Sequence, residues 1–535
     1  MEYQWWQEGV FYHIYVRSFQ DSDGDGIGDI KGLIARLPYL KILGIDGIWL
    51  SPIFSSPNAD FGYDVSDYLS IQEEYGTLED VKALLAEAHS LDIKVLFDLV
   101  LNHTSIEHNW FVESRKSKDN KFSDYYIWSD EIPNNWMGAF GGRAWAFCKE
   151  RKQYYMHSFL REQPDLNWRN QEMVDNLFSM VRYWLDLGVD GFRLDVINSI
   201  VKDEALRNNP KIIGSRPRPY DLQRHIFDRN RPESHQRVRQ LRKVMDEYEN
   251  RMLIGEIMVE LPGEPELAAS YLGADSDELH LSFDFSLAYA RFSAVHWKRI
   301  AKRWYEAVGR KRWPAWVLSN HDLPRFSEKA GEDIDKLKVA ALFLLTQRGA
   351  VFIYYGEELG LPNSRIHPKK MQDPLGRKYW PFHRGRDLAR GPMIWSTGEG
   401  SGFTDGEPWL DVAKSANYYS VENQDLEEHS LLNFYRNIIA LRKEDEVLRR
   451  GACTFIECNS TKILAYTRIL GKEQRLVVLN MSRTSQRCKI AEFIAKEEGA
   501  IHPLFSTHVI ELSDESGGSR YELAPYQGIV FEVES

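Results

Sequence analysis

Two hydrophobic periods alternate along this chain. Short apolar runs, rich in β-branched and aromatic residues, occur at FYHIYVRSF (11–19), IDGIWLSP (45–52), IKVLFDLVLNH (93–103), VDGFRLDV (189–196), RMLIGEI (251–257), LHLSFDF (279–285), WPAWVLSNHD (313–322) and AVFIYYGEEL (350–359). Amphipathic stretches with helical spacing separate them, among them TLEDVKALLAEAHSLD and NQEMVDNLFSMVRYWLDLG. The first opens with Thr77 and Asp80 in capping-box positions and acids in its first turn. Eight strands with intervening helices predict an α/β fold, a parallel (β/α)8 TIM barrel.

Two intervals exceed an ordinary strand-to-helix connection. Residues 104–170, rich in Trp, Asn, Ser and Gly, read as a subdomain inserted after strand 3; residues 197–250 follow strand 4 and end in a charged helix. Beyond LLNFYRNIIALRKEDEVL (431–448) the runs CTFIE, KILAYTRIL, QRLVVLNM and GIVFEVE predict a small all-β sandwich. The expected domains are the barrel (1–103 and 171–450), the inserted subdomain (104–170) and the C-terminal module (451–535).

Bulk properties narrow the class. The formal charge of −12 disfavours nucleic acid and anionic membrane as partners. Cys148, Cys453, Cys458 and Cys488 lack metal or disulfide spacing and read as reduced thiols. The N-terminus has no basic segment followed by an apolar one, and no run nears eighteen apolar residues. A cytoplasmic protein with no obligatory protein partner is expected.

Catalytic groups in such barrels sit at the C-terminal ends of strands. There the chain places Asp98 and His103 after strand 3, Arg193 and Asp195 at strand 4, Glu256 at strand 5, and His321 and Asp322 after strand 7. Each acid alone reads as a strand-end cap. Three acids, an arginine and two histidines at corresponding ends read as a reaction site. Arg193 and Asp195, two apart on a strand, face the same way, so the arginine is expected to keep the aspartate ionised. A retaining glycosidase needs such a set: one ionised carboxylate as nucleophile and one protonated carboxyl as acid.

These segments resemble the consensus regions of the α-amylase superfamily, glycoside hydrolase family thirteen. The likeness is carried in order by DLVLNHTS (98–105), QPDLN (163–167), GFRLDVIN (191–198), IGEI (254–257) and SNHD (319–322). SPIFSSPNADFGYDVSDY (51–68), FIYYGEELG (352–360) and GRDLARGPM (385–393) extend it over nearly the whole chain. QPDLN is similar to the extra region of the oligo-1,6-glucosidase subfamily. The resemblance implies Asp195 as nucleophile, Glu256 as general acid/base and Asp322 as transition-state stabiliser. It implies Tyr63 beneath the glucosyl ring and His103, Arg193 and His321 at its hydroxyls. Asp60 and Arg390 match a pair that closes the pocket in exo-acting members. Val196, following the nucleophile, matches the linkage marker of enzymes preferring α-1,6 bonds. The implied activity is therefore a retaining exo-α-glucosidase on short oligosaccharides such as isomaltose. The alternatives are an α-1,4-preferring or sucrose-cleaving enzyme, or a transglucosylase or isomerase such as trehalose synthase. A non-enzymatic transporter heavy chain would need a membrane helix, and a binding module would not need the full acid set.

Near the start, DSDGDGIGD spaces Asp21, Asp23, Asp25 and Asp29 as the first half of an EF-hand-like loop. Position 12 would be Gly32, so the bidentate glutamate is missing. Hard oxygen ligands in a flexible loop favour Ca²⁺, and the family resemblance adds the Ile27 carbonyl to a structural site. No cofactor is expected for the chemistry.

Overall fold

A computed structural model describes residues 3–213, 218–259, 263–413, 416–489, 501–509 and 520–534. All eight apolar runs form parallel strands: β1 (Val10–Ile14), β2 (Gly47–Leu50), β3 (Lys94–Val100), β4 (Gly191–Asp195), β5 (Met252–Glu256), β6 (Leu281–Phe283), β7 (Ala315–Val317) and β8 (Ala350–Tyr354). Each pairs with its sequence neighbour, and β8 closes on β1 with Val351 opposite Val10. The barrel interior is filled by large side chains, including Phe11, Trp49, Leu96, Met252, Phe283 and Phe352. Phe11 and Phe352 stack across the closing seam at 4.7 Å. The other faces of the strands meet helices, so every strand is buried on both sides and reads as a continuous apolar run.

The helices following the strands are α1 (Ile30–Leu43), α2 (Leu78–Ser90), α3 (Gln171–Asp186), α4 (Pro232–Met245), α5 (Pro265–Ser270), α6 (Ala294–Val308), α7 (Ile334–Leu345) and α8 (Leu431–Glu444). The Thr77–Asp80 capping box closes the start of α2 reciprocally, and the Asp29 side chain caps α1 through the Gly32 N–H. None of the helices is long and apolar enough to cross a membrane among the described residues.

Three excursions leave the barrel mouth. The 104–170 interval contains a three-stranded antiparallel sheet, Trp128–Ser129, Trp145–Cys148 and Gln153–Met156. A bridge between His103 and Asp165 ties it to the end of β3, and one between Tyr126 and Leu166 joins its own entering and returning segments. The 197–250 interval winds through short turns into the charged helix α4. A third excursion, between Tyr354 and Leu431, was not singled out from the sequence, because its turns and short helices lack a strong period. It carries Arg386 and Arg390.

After the barrel, β9 (Ala452–Ile456), β10 (Ile463–Leu470), β11 (Glu473–Asn480), β13 (Ile501–Ser506) and β15 (Gly528–Val533) form one antiparallel sheet in the order β9-β10-β11-β15-β13. The opposing layer among the described residues is a two-stranded ribbon, β12 (Gln486–Lys489) with β14 (Arg520–Leu523), whose Leu523 joins the sheet's apolar face. The fully buried Arg468 of β10 fastens this module to the barrel by donating to the carbonyls of Thr346 and Gly451, and the buried Arg442 of α8 donates to those of Leu345, Gln347 and Gly349 within the barrel. Cys148, Cys453 and Cys458 are free thiols, half-buried; the side chain of Cys488 lies outside the described residues.

Candidate active site

The register of the barrel assembles the first part of the site. Asp98 on β3 lies opposite Arg193 on β4, and Val100 lies opposite Asp195. Arg193 and Asp195 share one face, as a two-residue spacing requires. Arg193 Nη1 donates to both oxygens of Asp98, at 2.7 and 2.9 Å, and to Asp195 Oδ1 at 2.9 Å. Its Nη2 donates to Glu256 Oε2 at the end of β5. One guanidinium thus holds three carboxylates.

That ratio sets the electrostatics. Burial pushes the Asp98 carboxyl up to about 6 and Asp195 well above the usual carboxylate range, while Arg193 pulls both the other way. Arg193 lies against Asp195, as its position two residues away on the same strand face requires. The arginine is shared, and Glu256 and Asp98 repel the charge on Asp195.

Asp322 stands in a second ion cluster. Burial opposes its ionisation, but its surroundings, the His321 ring beside it and the guanidiniums of Arg386, Arg390 and Arg193, outweigh this and hold its carboxyl far below the usual range. Arg390 donates from Nη2 to Asp322 Oδ1 at 2.9 Å and from Nε to the His321 carbonyl at 2.9 Å. Asp60 does not pair with Arg390 as the sequence suggested. Its partner is Arg386, whose Nη2 reaches Asp60 Oδ1 at 2.5 Å and Asp373 Oδ1 at 2.6 Å. GRDLARGPM offers two arginines four residues apart, separated by a short 3₁₀ turn, and sequence spacing alone does not say which faces Asp60.

Aromatic and amide groups complete the wall. The Tyr63 hydroxyl donates to Asp98 Oδ2 at 3.0 Å and accepts from His321 Nε2 at 2.7 Å; the two rings are nearly parallel, centroids 5.4 Å apart. Burial lowers His321 to about 3 and His103 to about 4, so both imidazoles are neutral at pH 7. With Nδ1 of His103 facing the Asn102 amide, its Nε2 hydrogen points to the Tyr63 carbonyl at 3.0 Å. Gln163, in the QPDLN segment, reaches Asp60 Oδ2 and the Tyr63 carbonyl, each at 3.3 Å. Val196 has a left-handed backbone, φ 36 and ψ 42, a costly conformation for a β-branched residue. The turn it makes ends β4 immediately after Asp195.

These groups surround a cavity of about 250 Å³. Asp60, Tyr63, His103, Asp195, Val196, Glu256 and Asp322 line it, all anticipated from the sequence. Arg193, His321 and Arg390 stand one layer behind, at most 1% exposed, and act on the acids. Asp98 is given a place at the end of strand 3 but no role by the sequence, and Gln163, Arg386 and Asp373 are not singled out by it. The signal for Asp98 was a charge inside an otherwise apolar strand; Asp373 had none, because its role depends on a contact across a long loop. Asp60 and Arg386 line the cavity on its buried side, and Asp373 pairs with Arg386 behind them. The outer rim is more exposed and carries Arg218, Tyr220, Met258, Tyr289, Leu375 and His383.

The loop after β1 is separate from this cavity. Carboxylate oxygens of Asp21, Asp23 and Asp29 lie within 4.8 Å of one another. Asp25 does not join them; its Oδ1 accepts from the Ile27 N–H at 2.7 Å. Asp21 accepts from Thr404 Oγ1 at 2.5 Å, which pins the loop to the third excursion. The remaining donor set, hard oxygens in a compact acidic turn, fits Ca²⁺.

Comparison with known proteins places this geometry. The alpha amylase catalytic domain family matches residues 13–451. A probable alpha-glucosidase of Rhizobium meliloti (strain 1021) is 41% identical over 496 aligned residues, covering 89% of each chain. An oligo-1,6-glucosidase of Bacillus cereus is 37% identical over the full length of both chains. Among solved structures, an alpha-glucosyl transfer enzyme, XgtA, superposes with a TM-score of 0.92 at 38% identity, covering 100% of each chain. The trehalulose synthase MutB from Pseudomonas mesoacidophila MX-45 follows with a TM-score of 0.89 at 31% identity, again with complete coverage. A family match over most of the chain, full-length relatives and an eight-stranded barrel with its acids at the strand ends agree: the chain is a glycoside hydrolase that belongs to the α-amylase family.

Proposed function

We propose that the protein is a retaining, exo-acting α-glucosidase of short oligosaccharides, with preference for α-1,6 bonds. One observation carries this reading: Asp195 and Glu256 share the two amino groups of a single guanidinium, on the wall of a cavity whose buried side is backed by an ion cluster. A guanidinium bridging both carboxyls keeps them close. Retaining pairs stand roughly 5–5.5 Å apart, inverting pairs roughly 6.5–9.5 Å. That buried side leaves space for a chain terminus and none for a continuing glucan.

In this mechanism Glu256 protonates the glycosidic oxygen while Asp195 attacks the anomeric carbon. In that step Asp195 acts as the carboxylate, beside Arg193. Asp322, held ionised by its arginines, stabilises the positive ring and binds its hydroxyls. Water deprotonated by Glu256 releases α-glucose. Resemblance to an alpha-glucosyl transfer enzyme and a trehalulose synthase favours a second outcome of the same intermediate, transfer to a sugar hydroxyl.

The test is glucose release from isomaltose, maltose, sucrose and trehalose, with the first-formed anomer read by NMR. α-Glucose released fastest from isomaltose is the expected result; β-glucose, or products from chain interiors only, contradicts the mechanism. Val196→Ala removes two methyl groups beside the nucleophile and with them the β-branched strain of the left-handed turn. It is expected to shift the isomaltose-to-maltose ratio of kcat/KM by roughly tenfold or more towards maltose, the scale of a methyl-sized change in an apolar pocket. An unchanged ratio removes Val196 as the linkage determinant.

The loop after β1 is proposed to hold structural Ca²⁺ through Asp21, Asp23 and Asp29, supplying charge balance and no chemistry. Calcium at a hundredfold excess over its Kd is expected to add about 2.7 kcal/mol, a rise of a few degrees in Tm. Asp23→Ala abolishes that rise and leaves kcat unaltered. A Tm indifferent to both chelator and calcium contradicts the site.

A further inference from the structure

Behind the active-site wall lies a second chamber of about 10 Å³, enough for one water. It shares Phe159, Tyr220 and Met258 with the active-site cavity. Its polar lining comes from Ser158, Ser199, Asp228 and Arg229, and Ala144 forms part of the wall. Ser199 is four residues past Asp195, and Met258 is two past Glu256, so the chamber adjoins both acids along the chain. On its other side it meets, at Met137, an outer cavity of about 800 Å³ lined in part by the exposed Lys211 and Ile212.

Arg229 is the unusual member. It is 3% exposed. Its Nη1 donates to the Tyr220 hydroxyl at 3.0 Å, but Nε and Nη2 have no hydrogen-bond partner among the described residues. Buried guanidinium donors are costly unless satisfied, and a polar void of one water's size beside them is the ordinary solution. Tyr220 also hydrogen-bonds Met258 Sδ at 3.5 Å, so these two side chains form the partition between chamber and cavity, with Arg229 fixing Tyr220.

We propose that this chamber delivers the water that hydrolyses the glucosyl-enzyme, by a route separate from the cavity mouth, and that Arg229 is the residue positioning it. The inference rests on the retaining mechanism above. In the step concerned, the water oxygen bonds to the anomeric carbon. The ester bond to Asp195 breaks, its electron pair returns to the carboxylate, and the water proton passes to Glu256. A sugar or alcohol acceptor must enter through the rim that the leaving group has just vacated. The attacking water takes the place of the departed oxygen, on the face opposite Asp195; water from the chamber comes to that place without crossing the rim, so the chamber favours hydrolysis over transfer.

Two substitutions test this. Ala144→Val fills the chamber without touching a charge, and Arg229→Gln removes the unsatisfied guanidinium while keeping a donor. Each is assayed with p-nitrophenyl α-glucoside and methanol as competing acceptor. p-Nitrophenol counts all turnovers, free glucose counts hydrolysis and methyl glucoside counts transfer. The expected result is a methyl glucoside-to-glucose ratio raised about threefold or more, with kcat/KM for p-nitrophenol release within about twofold of the unaltered enzyme. A purely structural role would lower release without moving the ratio. An unchanged ratio in either variant that still releases p-nitrophenol overturns the proposal. If the unaltered enzyme releases neither glucose nor methyl glucoside, the retaining α-glucosidase reading itself fails, which is a distinct result.

Discussion

Asp195→Asn is expected to lower kcat/KM for isomaltose by roughly 10⁴-fold or more, the scale of losing a residue that acts in the covalent step. The amide is nearly isosteric and still accepts from Arg193, so the barrel end keeps its shape and Tm changes little. What disappears is the electron pair that forms the glucosyl ester. Glu256→Gln behaves differently with leaving group. It is expected to be as damaging on isomaltose, where the departing sugar oxygen must be protonated. Release of p-nitrophenolate, which needs no proton, should lose far less in the first step. Steady-state and burst kinetics on both substrates separate these patterns. An Asp195→Asn enzyme that turns over isomaltose, with mass spectrometry excluding deamidation, removes Asp195 as nucleophile. Equal losses on both substrates for Glu256→Gln remove its role as acid.

Lys202→Met is expected to destabilise the protein by about 3–5 kcal/mol, because it leaves one partner of a buried pair uncompensated. Lys202 is 4% exposed, and its Nζ contacts Asp165 Oδ2 at 2.8 Å, Asn102 Oδ1 at 2.7 Å and the Ser199 carbonyl. It therefore joins three segments at one point: the end of β3, the loop after β4 and the returning strand of the inserted subdomain. Asp165 is also held by Ser158, at 2.7 Å to its N–H and 2.5 Å to its hydroxyl. The loss should loosen the subdomain where Gln163 and His103 contact the cavity, so KM rises along with the fall in Tm. Asp165→Asn should cost a similar amount. The double substitution should cost clearly less than the sum, since the second change no longer strands a charge. Calorimetry of the three variants decides; additive losses below about 1 kcal/mol would mean that the pair contributes little.

Much of this site was legible in the chain because barrel chemistry is written at strand ends. An apolar run that closes on a charge, as in FRLD or LIGE, names both the strand and the group it presents. Asp195, Glu256 and Asp322 were found in this way, and so were Tyr63 and His103 through the ordered family regions. The inserted subdomain announced itself by length and composition. The excursion after β8 did not, because its short helices carry no sustained period.

The sequence by itself determined the eight-stranded barrel and which acids stand at its strand ends, since continuous apolar runs, strand-end charges and local caps are properties of neighbouring residues. Only the tertiary structure decided which groups share a charge. It placed Asp98, Asp195 and Glu256 on one arginine, gave Asp60 to Arg386 instead of Arg390, and set Arg229 beside a chamber next to the cavity. Apart from Arg193 with its near neighbour Asp195, those pairings join residues dozens to hundreds of positions apart. Their energetics depend on burial and on how many carboxylates compete for one cation, quantities that exist only after the chain has folded.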